Sequence, residues 1–332
     1  MKNNFLIGFH LKRQRKKRKK CIKILLFTFI AAISLYLAFN QFIKNRVNDS
    51  TEITGPFTSS ISSSPVVSPT ADESIHAVPN SLKDVVDDAL EGTKGTYGIA
   101  ITNLKTGETY YAHEHKFFET GSLYKLWIMA TVYKQIQNGQ LQEDQVLSED
   151  VEKLNEKFYI ASDSAEQTEG TITFTVHDAL SEMITISDNY AALLLTEKIR
   201  LSSVATFLKE NGFTQSTVGT TGGSPTATPY DIALYFEKLY KGELVNQEYT
   251  NEMINLLKDQ QLNDGVPKYL PDTSKIANKT GEIDFFKHDA GIVFTDSGDY
   301  IIVVMSESDF PLGAQERIAL VSKGVFDYFT SK

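Results

Sequence analysis

The sequence predicts an α/β fold of the segregated (α+β) kind: one antiparallel sheet flanked by terminal helices, plus an inserted all-helical lobe. Three observations predict it. From residue 80 onward, strand-like patterns gather near the two ends of the chain. A long block of helix-period segments separates them. A helical pattern stands outside the strands at each end. The order is helix, two strands, helical block, three strands, helix. The simplest closure joins strands from both ends into one sheet, with the terminal helices on one face and the block as a second lobe. The cleft between sheet and block is the expected site.

Residues 81–90 have helical spacing, with Ser81 placed to cap them. Residues 95–102 and 108–113 read as strands around a Lys105-Thr106-Gly107 turn. Residues 123–136 are apolar and helical. Residues 171–174 form a short extended piece before a helix over 176–185. Residues 189–199 are apolar nearly all round, which predicts a buried helix. Helical patterns recur over 203–211, 229–240 and 247–257. Residues 275–279, 289–295 and 300–306 read as strands. A tight turn at Asp296-Ser297-Gly298-Asp299 joins the last two. A final helix is expected over 313–329.

The chain of 332 residues is long enough to bury a core, and its 41% hydrophobic content excludes wholesale disorder. Its single cysteine, Cys21, excludes an internal disulfide and a cysteine-based zinc site. The net charge of -9 hides a split. Residues 1–46 hold 12 Lys and Arg and no acid, while the remainder carries 21 basic against 42 acidic residues. That acidic body argues against a nucleic-acid partner.

Residues 1–23 read as a basic cytoplasmic segment and residues 24–43 as a transmembrane signal-anchor, near the ~20 residues a bilayer requires. The positive-inside rule keeps the N-terminus in the cytoplasm and the body outside the cell membrane. No small-x-small cleavage site follows Phe39, which favours an uncleaved anchor over a signal peptide. Residues 44–79 are Ser- and Pro-rich and read as a linker to a domain over 80–332.

Three motifs carry the chemistry. Ser122-Leu123-Tyr124-Lys125 places a serine in the first turn of a helix and a lysine on the same face one turn on. A neutral amine there can reach the hydroxyl and take its proton. Ser187-Asp188-Asn189 precedes the buried helix; Ser187 is placed to relay a proton and Asn189 to hold an amide. Lys279-Thr280-Gly281 ends a predicted strand. Lys279 supplies a cation, Thr280 a hydroxyl, and Gly281 room for an extended substrate along the strand edge. The last two motifs each arise by chance in roughly 5–10% of such chains, and all three in order in well under about 1%.

Together they resemble the serine penicillin-recognising superfamily. The Ser-Asp-Asn form and the domain size are most similar to class A β-lactamases. Ala227-Thr228-Pro229-Tyr230-Asp231 and Gly242-Glu243-Leu244 add to the resemblance. It implies a β-lactamase/transpeptidase-like fold and acyl transfer through a Ser122 ester, without a cofactor. Lys125 would serve as general base or as part of a base network, and Ser187 would pass the proton to the leaving nitrogen. Asn189 would hold the substrate's side-chain amide, and Lys279 and Thr280 its carboxylate. The backbone N–H groups of Ser122 and Glu282 would form the oxyanion hole. Like-charge repulsion between Lys125 and Lys279 is expected to lower the pKa of Lys125. The substrates implied are β-lactams or the stem peptides of peptidoglycan.

One departure stands out. Class A enzymes carry a glutamate, which activates the deacylating water, between the Ser-Asp-Asn helices and the Thr-Pro segment. Here that stretch, 211–229, has no Glu or Asp, and Glu210 at its border reads as a solvated helix end. The departure favours a D-alanyl-D-alanine carboxypeptidase or penicillin-binding protein as the alternative; a non-turnover muropeptide or β-lactam sensor is the non-enzymatic one. Glu282, an acid beside the Lys-Thr-Gly turn, either substitutes for that class A glutamate or is a surface residue, and the surface reading is favoured. Lys287 and His288 lie where relatives can carry a carboxylate-binding cation. His113 and His115 alternate on a predicted strand without a metal-binding continuation.

Overall fold

The computed structural model describes residues 81–220 and 223–331. The basic segment 1–23, the membrane span 24–43 and the linker 44–79 expected from the sequence lie outside the described residues. Among the described residues no helix is long and apolar enough to cross a membrane.

Helix α1 (Leu82–Leu90) starts where Ser81 Oγ accepts the Asp84 N–H at 3.2 Å. Strands β1 (Thr96–Asn103) and β2 (Thr109–Ala112) follow as a hairpin. Its turn is held by Asn103, whose side-chain oxygen accepts the N–H groups of Lys105 and Thr106, both at 2.9 Å. Near the C-terminal end come β7 (Lys275–Ile283), β8 (Phe286–Phe294), β9 (Tyr300–Glu307) and helix α9 (Pro311–Thr330). The sheet order is β2-β1-β9-β8-β7, antiparallel throughout. Pairing of β1 with β9, from Thr96↔Glu307 to Asn103↔Tyr300, joins the two ends of the domain as expected.

Strand β9 explains why its sequence is apolar without alternation: both of its faces are covered. Ile302 and Val304 pack with Leu82, Val85, Ile318 and Val325 of the terminal helices. Ile301, Val303 and Met305 pack against the helical lobe. Each such side chain contributes about 1.5–3 kcal/mol on burial. That lobe comprises α2 (Lys125–Gln137), α4 (Val176–Thr185), α5 (Asn189–Ile199), α6 (Leu201–Glu210), α7 (Pro229–Tyr240) and α8 (Gln247–Lys258). Four of these helices have side-chain caps of the expected chemistry, from Thr175, Asp188, Thr228 and Asn246.

Of the short elements, β5 (Thr171–Thr175) matches the extended piece expected over 171–174, and the others went unpredicted. Strands β3 (Phe118–Glu119) and β6 (Thr226–Ala227) pair with each other, too briefly to leave a period. Strand β4 (Val146–Asp150) pairs with β5 (Thr171–Thr175) around helix α3 (Val151–Lys157). Lys279-Thr280-Gly281 lies inside β7, not at its end, and β8 begins three residues before the expected Asp289. Their tight turn contains Asp284 in the left-handed region, φ 46°. His113 lies outside the strand expected to carry it. It has φ 47°, and its Nδ1 lies 3.0 Å from the Tyr97 carbonyl, so the alternation with His115 is broken.

Candidate active site

Ser122 stands in a 3-10 turn, Gly121–Tyr124, that leads from β3 into α2. The turn is pressed against β7. Gly121 has φ 51°, and a Cβ there would lie 2.5 Å from Glu282 N. This contact sets the backbone of the Ser122 turn beside that of Glu282. A helix's first N–H groups have no intrahelical partner, so the turn can offer them to a ligand. Gly121→Ala is expected to cost about 1–3 kcal/mol through left-handed strain and the backbone clash. Chemical denaturation of the variant measures this.

Gly281 is closely packed from the other side. A Cβ there would lie 2.5 Å from the Thr120 carbonyl oxygen. The room that sequence reasoning assigned to substrate is thus taken by the protein's own chain, and the glycine serves to bring β7 up to the Ser122 turn.

Lys125 begins α2 and is fully buried. Its Nζ donates to the Ser187 carbonyl (2.6 Å), Asn189 Oδ1 (2.8 Å) and Ser187 Oγ (3.2 Å). Sequence reasoning pointed this amine at Ser122. Instead its donors go to Ser187 and Asn189, and Ser122 Oγ has no hydrogen-bond partner among the described residues. From β7, Lys279 Nζ donates to Ser187 Oγ at 3.0 Å and to the Thr280 carbonyl at 3.2 Å. Ser187 Oγ therefore accepts from both lysines, which leaves its own proton to point elsewhere. Ser187 is held in the left-handed region, φ 62°, a strained state for a non-glycine residue.

Burial pushes Lys125 well below the usual lysine range, and the charge of Lys279 pushes the same way. Asp188 and Glu166 oppose them. Burial also lowers Lys279, to about 8. The like-charge effect expected from sequence therefore acts on Lys125 but comes second to desolvation.

Thr280 is half-buried on β7 beside these groups. The Glu282 side chain is exposed and ion-paired with Lys287, its cross-strand partner. That pairing leaves Glu282's carboxylate on the surface and gives the Lys287 charge a partner within the protein. His288 is buried and neutral. Ser306 N–H donates to its Nδ1 (3.1 Å), so the proton resides on Nε2, which donates to the Glu119 carbonyl (2.7 Å). Burial lowers its pKa to about 4. It is thus no cation for a carboxylate; it ties β8 to the strand entering the Ser122 turn.

Sequence reasoning missed Glu166. It lies in the irregular segment 158–170, where no periodicity or motif marks it. Its Oε1 accepts from Asn189 Nδ2 at 2.7 Å. This bond and the Lys125 bond fix the Asn189 amide, oxygen toward the amine and nitrogen toward the carboxylate. Nearby Tyr124 has its phenol pushed up to about 12 by burial and by the Glu166 charge. Glu210 ends α6, exposed, as expected.

The model of a family described as the β-lactamase enzyme family matches residues 80–329. A search of curated proteins finds no match. Among solved structures, the fold is similar to a β-lactamase from Sphaerobacter thermophilus DSM 20745, with TM-score 0.65 and 24% identity over 76% of this chain and 97% of that one. It is similar to a mutant of PBP-A, solved as an acyl-enzyme complex with penicillin G, with TM-score 0.64 and 20% identity over 76% and 96%. It is also similar to a representative class A β-lactamase from Bacteroides cellulosilyticus DSM 14838, with TM-score 0.64 and 21% identity over 76% and 98%.

Proposed function

Because the chain belongs to the β-lactamase enzyme family, we propose that residues 80–332 act as a serine hydrolase that β-lactams acylate at Ser122. The observation that carries this reading is the relay Lys125–Ser187–Lys279, built on one serine hydroxyl beside the Ser122 turn. Ser122 Oγ attacks the lactam carbonyl carbon, and Lys125, its charge disfavoured by burial, takes the hydroxyl proton. The lactam C–N bond breaks, and Ser187 passes a proton to the nitrogen. The N–H groups of Ser122 and Glu282 face the developing oxyanion. Asn189 takes the acyl amide, and Lys279 with Thr280 the substrate carboxylate.

Deacylation in this reading is slow. The segment 211–229 offers no carboxylate to activate water. Glu166, which does reach the site, has one oxygen engaged by Asn189. That observation favours a second reading: a D-alanyl-D-alanine carboxypeptidase or penicillin-binding protein acting on peptidoglycan stem peptides. Residues 24–43 would anchor the chain in the cell membrane, with its N-terminus cytoplasmic and the hydrolase domain outside.

The test is to incubate the full chain in detergent micelles with benzylpenicillin and follow intact mass over time, with Ser122→Ala beside it. The expected result is a long-lived adduct on the wild type and none on the variant. An adduct that decays as hydrolysed drug accumulates would indicate a working β-lactamase. A wild type that takes up no penicillin would overturn the reading.

A further inference from the structure

Glu166 is an exposed carboxylate held in place. Its Oε1 accepts from Asn189 Nδ2. Among the described residues it has no other hydrogen-bond or ion-pair partner. Its placement is built from buried parts. The next residue, Gln167, donates its N–H to the Tyr190 hydroxyl at 3.1 Å. That hydroxyl also lies 2.8 Å from the Gln167 carbonyl oxygen and 2.9 Å from Asn155 Oδ1, and Asn155 Nδ2 donates to the same carbonyl at 2.9 Å. Tyr190 and Asn155 are both buried. Because Tyr190 directly follows Asn189, one helix start fixes both the amide and the carboxylate.

The Asn189 NH2 group has two protons. One goes to Glu166, which leaves the other for a substrate carbonyl. Two acceptors on one NH2 group sit about 5 Å apart. A substituent on the carbon next to that carbonyl therefore falls within ion-pair reach of Glu166. The other end of the cleft, at Lys279 and Thr280, suits an anion.

We infer that Glu166 forms a subsite for an ammonium group on the acyl side of the substrate, so that the site prefers acyl donors bearing a free amine beside the amide held by Asn189. The inference rests on the acyl-transfer reading above. A substrate suited to it is zwitterionic along the cleft, with its amine at Glu166 and its carboxylate at Lys279.

Three penicillins differ only at that carbon: benzylpenicillin carries hydrogen, ampicillin an amine and carbenicillin a carboxylate. Acylation rates of the full chain are measured by competition with a fluorescent penicillin at about pH 6.5, where an α-amine is protonated. Each rate is divided by that for benzylpenicillin, which cancels any change that Asn189 imposes on all three. The wild type is expected to favour ampicillin over carbenicillin. Glu166→Gln should lower the ampicillin ratio about 2–5-fold, and Glu166→Lys should place carbenicillin ahead of ampicillin. The wild-type preference should shrink with added salt. Ratios that are the same in all three proteins would overturn the inference. If no penicillin acylates the wild type, the acyl-transfer reading fails and the subsite fails with it.

Discussion

Replacing Lys125 with alanine is expected to slow acylation of Ser122 by about 10²–10⁴-fold, the usual contribution of a positioned base. Lys125→Arg should not restore the rate, because a guanidinium keeps its proton. The pH profile separates this role from a structural one. Rising pH strips the proton from Lys125, whose charge burial and Lys279 already disfavour, so the wild-type rate climbs. Neutralising Lys279, with its pKa of about 8, removes the cation for the substrate carboxylate. The rate should therefore fall above about pH 8, and Lys279→Arg should move that fall to higher pH. Quench-flow acylation with a fluorescent penicillin reads both limbs. A Lys125→Ala variant within tenfold of the wild type would remove the base role.

The sheet was legible because its central strands have the same reason to be apolar. Strand β1 buries one face against the terminal helices and the other against the lobe, as β9 does, so both read as continuous runs. The motif residues were legible because three patterns, rare only as an ordered set, fell near predicted element boundaries. Their partners were not. Lys125 turns to Ser187 and Asn189 because these residues, 62 and 64 positions later in sequence at the entry to α5, lie beside it in space, and no local pattern encodes that approach. Glu166 sits in a segment whose order comes from Tyr190 and Asn155, so its own sequence carries no period. Gly281 illustrates a different failure. Its identity suggested open space, whereas the structure uses it for contact between strand and turn.

Two adjacent residues on β8 are expected to give opposing pH dependences that one substitution can expose. His288 and Asp289 point to opposite faces of the strand. His288 faces Phe118 and the Glu119 carbonyl. Asp289 accepts from Val266 N–H (2.7 Å) and Asn278 Nδ2 (2.9 Å). Burial lowers His288 to about 4 from an ordinary value of 6.5. Below pH 6.5 the unfolded chain binds a proton that the folded one refuses, so stability is lost as pH falls through 6.5 toward 4. Burial raises Asp289 to about 6 from 3.8. Below pH 6 the folded chain binds the proton first, so stability is gained as pH falls toward 3.8. Each effect amounts to about 3 kcal/mol, and the two windows nearly coincide. In the wild type they offset each other. Asp289→Asn removes the gain, so between pH 6.5 and 4 the variant should lose about 3 kcal/mol more than the wild type does. His288→Gln removes the loss and should change the difference in the opposite direction. Urea unfolding at several pH values measures both slopes, and the subtraction cancels the surface carboxylates that all three proteins share. Parallel slopes in the three proteins would mean that water reaches these side chains and that β8 is less tightly sealed than its packing implies.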